Sequence, residues 1–139
     1  MASRVASDVP FCPVRYREPR HVPHDEAVRV LEAAIRGANP DGEANSVLVG
    51  LALTCDDRTF VEQWCMRVGR ESPDLWLRGL ASLCVGSHLA RRFGFVSPEA
   101  VTFVRELAGD SQVREVNSQV ESALADLDAF YPGNRSAST

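Results

Sequence analysis

Lysine is absent from this chain: all fifteen basic residues among its 139 are arginine. Two readings fit that absence. One is coding bias; the other is a use of Arg for bidentate pairing with carboxylates. Nineteen Asp and Glu residues leave a formal net charge of −4 and a pI near 5.3. That balance excludes the broad basic surface that nonspecific nucleic-acid binding requires. Cysteine is scarce, with Cys12, Cys55, Cys65 and Cys84 separated by 43, 10 and 19 residues. No CxxC occurs and no His falls at zinc-finger spacing, so neither a structural zinc nor another metal site is expected. The last three cysteines fall on the apolar side of helical patterns and read as buried free thiols in a reducing compartment. No apolar run approaches the ~18 residues of a membrane span. The opening stretch MASRVASDVPFCPV has no continuous apolar region of the secretory type. A cytoplasmic location and no membrane partner are the resulting expectations.

Chemistry-bearing patterns are also missing. No Gly-rich phosphate loop follows a strand, and no Ser/His/Asp or Cys/His grouping can be assembled from the pattern. The expectation is therefore a protein that is not an enzyme and carries no catalytic residues and no cofactor. His21 and His24, three apart and beside Asp25 and Glu26, could hold a metal only with a third ligand that is not evident; they make equal sense at a helix start. His88 falls on an inward face and reads as a packed, hydrogen-bonded histidine.

What is present is a chain of one-domain length with 45% apolar and 24% charged residues, enough for a core without staples. Residues 1–23 hold Pro10, Pro13, Pro19 and Pro23, a density that forbids a regular helix. They read as an extended arm, either laid on the body through Val9, Phe11, Val14 and Tyr16 or loose. Residues 132–139 read as a disordered polar tail.

Between these ends the apolar residues recur at helical spacing six times, and an all-α fold follows. The first helix is expected over 24–37, with Val28, Leu31 and Ile35 inward and Ala27 and Ala34 beside them. The second covers 42–55, the third 58–71 and the fourth 74–93. Ser97-Pro98 starts the fifth, and Gly109 ends it. The sixth covers 111–130, with Val113, Val116, Val120, Ala123, Leu124 and Leu127 inward.

The even-numbered helices repeat. Asp41, Asp74 and Asp110 stand at their starts, 33 and 36 residues apart. Apolar residues follow each Asp at positions 3, 6 and 10: Ala44, Val47, Leu51; Leu77, Leu80, Cys84; Val113, Val116, Val120. The last two copies share D-x-x-x-R, through Arg78 and Arg114, where the first has Asn45. An Asp at a helix start can cap free N–H groups, and an Arg one turn later can pair with it or with a neighbouring Asp.

These residues resemble the second-helix signature of HEAT repeats, D-x-x-V-R-x-x-A-x-x-A-L-G. Asp74, Leu77, Arg78, Ala81 and Gly86 follow it, whereas Asn117 stands where the second copy has Ala81. The resemblance spans about 24–130. It implies a short right-handed α-solenoid of three helical hairpins, about 24–55, 58–93 and 97–130. It also implies a ladder of Asp74, Arg78, Asp110 and Arg114, with Arg78 pairing to Asp110. Its functional implication is a protein-binding adaptor, monomeric or weakly dimeric. A narrower resemblance, carried by Leu75 to Phe93 and its Ser87-His88-Leu89-Ala90-Arg91 ending, is to bacterial HEAT-like immunity proteins, which implies a toxin as the partner. The alternatives are a HEAT-like enzyme or lyase acting on a small cofactor or nucleic acid, and a structural oligomerisation module.

Repeat logic also marks a surface. Leu75 and Trp76 match polar or small residues in the other copies (Gly42, Glu43, Ser111 and Gln112), so both are expected toward solvent. An exposed Trp beside a Leu is a candidate partner anchor; the other reading covers Trp76 with Phe11 or Tyr16 of the arm. Glu115, Ser118, Gln119 and Glu121 complete the candidate partner-binding set, on a sixth helix that also carries Asp126 and Asp128. That acidic face is either simply solvated or complementary to a basic partner.

Overall fold

The structure, a computed structural model, describes residues 21–130. The expected contacts of Phe11 and Tyr16 with Trp76, the extended course of the arm up to residue 20 and the tail lie outside the described residues. Among the described residues every regular element is helical and no strand occurs. None of their helices is long and apolar enough to cross a membrane.

Helix α1 is His24–Ile35, with Asp25 and Glu26 in its first turn, where the positive end of the helix dipole favours them. Its buried stripe is Ala27, Val30, Leu31 and Ala34. Val28 and Ile35 are only half-buried, so the inward face is rotated slightly from the one expected. A 3-10 turn, Pro40–Gly42, leads into α2, Glu43–Thr54. Here Asp41 does not play the capping role its register suggested. Its φ is 57°, in the left-handed region, and α2 begins at Gly42 with no side-chain cap from that residue. Asn39 serves instead: its Oδ1 accepts from Ala44 N at 2.8 Å, and its Nδ2 donates to Asn45 Oδ1 at 3.0 Å.

Helix α3, Arg58–Glu71, is capped by Asp57, which accepts from Phe60 N at 3.1 Å. It buries Val61, Cys65, Val68 and Gly69. Gly69 is required by a close approach: a Cβ there would overlap the ring of fully buried Phe103. Glu62 is buried too, with its carboxylate paired to Arg58 and accepting from Ser97 N at 3.0 Å. It joins α3 to the start of the helix that follows Ser97.

The expected helix at 74–93 is continuous but not uniform. It runs as α4 (Leu75–Leu83), a π-helical turn (Cys84–Leu89) and α5 (Ala90–Phe93), and stops at Gly94 with φ 79°. Nearly every residue from Leu77 to Ala90 is buried, as in a helix surrounded by others. Helix α6, Pro98–Ala108, starts on Ser97, whose Oγ accepts from Ala100 N at 3.1 Å.

The sixth expected helix is broken. Helix α7, Ser111–Val116, ends at Asn117 with φ −143° and ψ 95°, and α8, Gln119–Phe130, follows. The apolar spacing of 111–130 fits one helix, but an Asn that serves as its own cap interrupts it. Packing runs in chain order. Helix α1 lies on α2 and α3, α3 on α4 and α6, and α6 on α7 and α8; α4 and its π turn lie between α2 and α8.

Candidate functional site

The two D-x-x-x-R copies each fasten a pair of successive helices at their connection. Asp74 accepts from Trp76 N at 3.0 Å and Leu77 N at 3.2 Å. Asp110 accepts from Gln112 N at 3.0 Å and Val113 N at 3.3 Å. Each Arg reaches back to the end of the preceding helix: Arg78 Nε donates to Gly69 O at 2.7 Å, and Arg114 Nη1 to Ala108 O at 3.4 Å. One carboxylate thus satisfies the start of the second helix, and one guanidinium meets the negative end of the first. Arg78 Nη2 also stands 3.8 Å from Asp110 Oδ2, between half-exposed side chains.

At the head of α4, Trp76 is 44% exposed. Leu75, expected beside it in solvent, is half-buried and packs on the core. The second exposed apolar residue here is Val116, at 45%, although its position six residues after Asp110 marked it as inward. The helix break explains the difference. With α7 ending at Val116, the chain turns and Asn117 takes the inward direction, where it is 1% exposed. Its Nδ2 donates to Trp76 O at 3.1 Å, and its Oδ1 accepts from Gln119 N at 3.0 Å. Gly79 leaves the room, since a Cβ there would stand 2.8 Å from Asn117 Cβ. The backbone of Trp76 is therefore held on both sides, its N–H by Asp74 and its C=O by Asn117.

The break brings the other expected residues to the same end of the molecule. Glu115, Ser118, Gln119 and Glu121 are all exposed around it. The acidic face farther along α8 is largely engaged within the molecule. Asp126 accepts from Ser87 Oγ at 2.7 Å and lies 3.6 Å from Arg91, while Asp128 pairs with Arg105 at 3.2 Å. Glu121 stands 3.9 Å from Arg114. Val116 escaped sequence reasoning; its one signal was Asn117 standing where the other copy has Ala81.

Other features form no comparable site. Phe95 is 49% exposed, but the Arg58 guanidinium lies 4.3 Å from its ring centroid and covers one face. An open groove of about 360 Å³ along α3 is lined by Gln63, Met66, Arg67, Arg70 and Glu71, whose arginines pair with Glu71 and Glu106. His88 is half-buried; burial first and Arg91 second pull its imidazole below the ordinary histidine range, against the opposing pull of Asp126. His24 stacks on Phe60 at 3.9 Å and sets Nε2 3.6 Å from Cys55 Sγ. Among the described residues no three His, Cys, Asp or Glu side chains converge on one point. Cys55, Cys65 and Cys84 are free and buried. The Cys65 thiol is pushed well up by its hydrogen bond with Cys84, then by burial and by Glu62.

No family model, curated protein or solved structure matches this chain.

Proposed function

We propose that the chain is a short right-handed α-solenoid of three helical hairpins, about 24–55, 58–93 and 97–130, that works by binding another protein. The observation that carries the binding reading is the exposed Trp76, fixed through its own backbone, with its carbonyl bonded by Asn117, the residue that follows exposed Val116. A large aromatic side chain on a rigid backbone loses little freedom on docking and excludes much water, as interface anchors do. The solenoid reading is supported by the order of packing, in which each helix meets its sequence neighbour and the matching helix of the next pair. The two equivalent Asp–Arg fastenings support it as well. Three buried free thiols favour a reducing compartment, hence the cytoplasm. The narrowest form of the reading, neutralisation of a bacterial toxin, rests on the resemblance of Leu75 to Phe93.

Position-specific photo-crosslinking tests the binding role. A photoreactive amino acid is placed at Trp76 in one variant and at exposed Thr102 on α6 in another, and both are irradiated in cells that make the protein. One stoichiometric protein adduct from position 76 and none from position 102 is the expected result. Equal adducts from both positions, or none from position 76, defeat the reading.

A further inference from the structure

We propose that the Trp76–Val116 surface docks a basic segment of its protein partner, one presenting an apolar side chain flanked by Arg or Lys. The inference rests on the protein-binding reading and adds the chemistry of the partner. Three carboxylates rim the apolar pair. Asp74 precedes Trp76 by two residues, Glu115 adjoins Val116, and Glu121 lies just beyond the break at Asn117. All three are exposed. Among the described residues neither Asp74 nor Glu115 forms an ion pair; Glu121 meets Arg114 only at 3.9 Å. The cations at this end, Arg78 and Arg114, each turn a guanidinium N–H to a backbone carbonyl, Gly69 O and Ala108 O, and Arg78 also faces the further carboxylate of Asp110. The rim therefore keeps net negative charge around an apolar centre.

Glu106, Asp126 and Asp128, by contrast, each meet an arginine of another helix. An apolar centre with three exposed carboxylates beside it in the chain, one of them capping α4, suits an Arg- or Lys-flanked side chain. The same rim repels an acidic segment. The anchor is also preorganised, because Asp74 and Asn117 hold both polar groups of the Trp76 backbone. Attraction across exposed carboxylates is screened by salt, so the contact should weaken as ionic strength rises.

The test uses the full chain and two defined probes. Both are amphipathic helical peptides with the same Leu stripe; one carries Arg on its polar face and the other Glu. Isothermal titration calorimetry reads their affinities. The Arg peptide is expected to bind and the Glu peptide to bind at least about tenfold more weakly, a difference of roughly 1.4 kcal/mol. Trp76→Ala and the double change Glu115→Lys with Glu121→Lys are each expected to weaken the Arg peptide about tenfold, with circular dichroism confirming that both variants are folded. Equal affinity for the two peptides, or an Arg-peptide affinity untouched by the double change, overturns the basic-segment proposal while leaving a Trp76-dependent contact standing. Binding indifferent to Trp76→Ala, or no binding of either peptide, overturns it as well; the crosslinking result then decides separately whether a protein docks at position 76.

Discussion

Asp74 and Asp110 each receive two backbone N–H groups on one carboxylate oxygen. Replacing either by Ala should cost about 1 kcal/mol of stability in urea unfolding. Asn39→Ala should cost a similar amount, because Asn39 accepts the Ala44 N–H, whereas Asp41→Gly, which removes the carboxylate but suits the φ of 57°, should lower stability by less than about 0.5 kcal/mol. A cost at Asp41 as large as at Asp74 would contradict the capping assignment. His88 gives a pH signature. Its folded pKa lies below the ordinary value of 6.5, so below that value the unfolded chain binds the proton more readily than the folded one. The stability it leaves intact is fully present above pH 6.5 and is lost as pH falls from there through the folded pKa. Urea midpoints measured across that window should fall with pH, and His88→Gln should flatten the decline.

At the scale of elements, six apolar stripes were legible because helical spacing leaves a mark that local chemistry rarely erases. The starts at Ser97 and Asp74 were legible for the same reason: a short polar side chain followed by helix formers has few other uses. Two interruptions of helices were not legible. A π turn replaces one hydrogen-bond register by another without altering which residue types are apolar, so Cys84–Leu89 left no trace in the pattern. The break at Asn117 was hidden because Val113, Val116 and Val120 fit an uninterrupted stripe, and the competing pull came from Trp76 O and the space over Gly79, both 38 or more residues away in the chain. Half of the candidate surface depended on that break. Asn117→Ala should therefore cost about 1–3 kcal/mol by leaving its buried site without a hydrogen-bonding side chain. It should also lower Val116 exposure as α7 and α8 run together, which amide exchange at residues 117–119 would report as new protection.

For the whole molecule, the question is what holds successive helix pairs together. The Arg78–Asp110 contact joins the second D-x-x-x-R copy to the third, but at 3.8 Å between half-exposed groups it belongs to the class of weak surface ion pairs. A double-mutant cycle of Arg78→Ala and Asp110→Ala should give a coupling at or below about 1 kcal/mol. Arg78→Ala alone should cost more than that coupling, since its Nε bond to Gly69 O is lost as well. The larger share of cohesion lies in the apolar contacts that run the length of the chain, from Leu31 through Leu51, Leu77 and Phe103 to Leu127, each essentially without exposure.

The π turn carries a consequence for phase. Such a turn is an α-helix holding one supernumerary residue, and each residue of an α-helix advances the chain by about 100°. Everything after Leu89 is thereby set a step out of phase with α4. That offset directs Arg92 at the end of α2, where its Nη1 donates to Ala52 O at 3.0 Å and Cys55 O at 2.8 Å. Deleting one residue from the turn would restore a regular helix and swing Arg92 away from those carbonyls. Residues 84–89 should therefore tolerate a conservative exchange of side chain far better than a change of length, a contrast that thermal unfolding of a Ser87 deletion beside Ser87→Ala would measure.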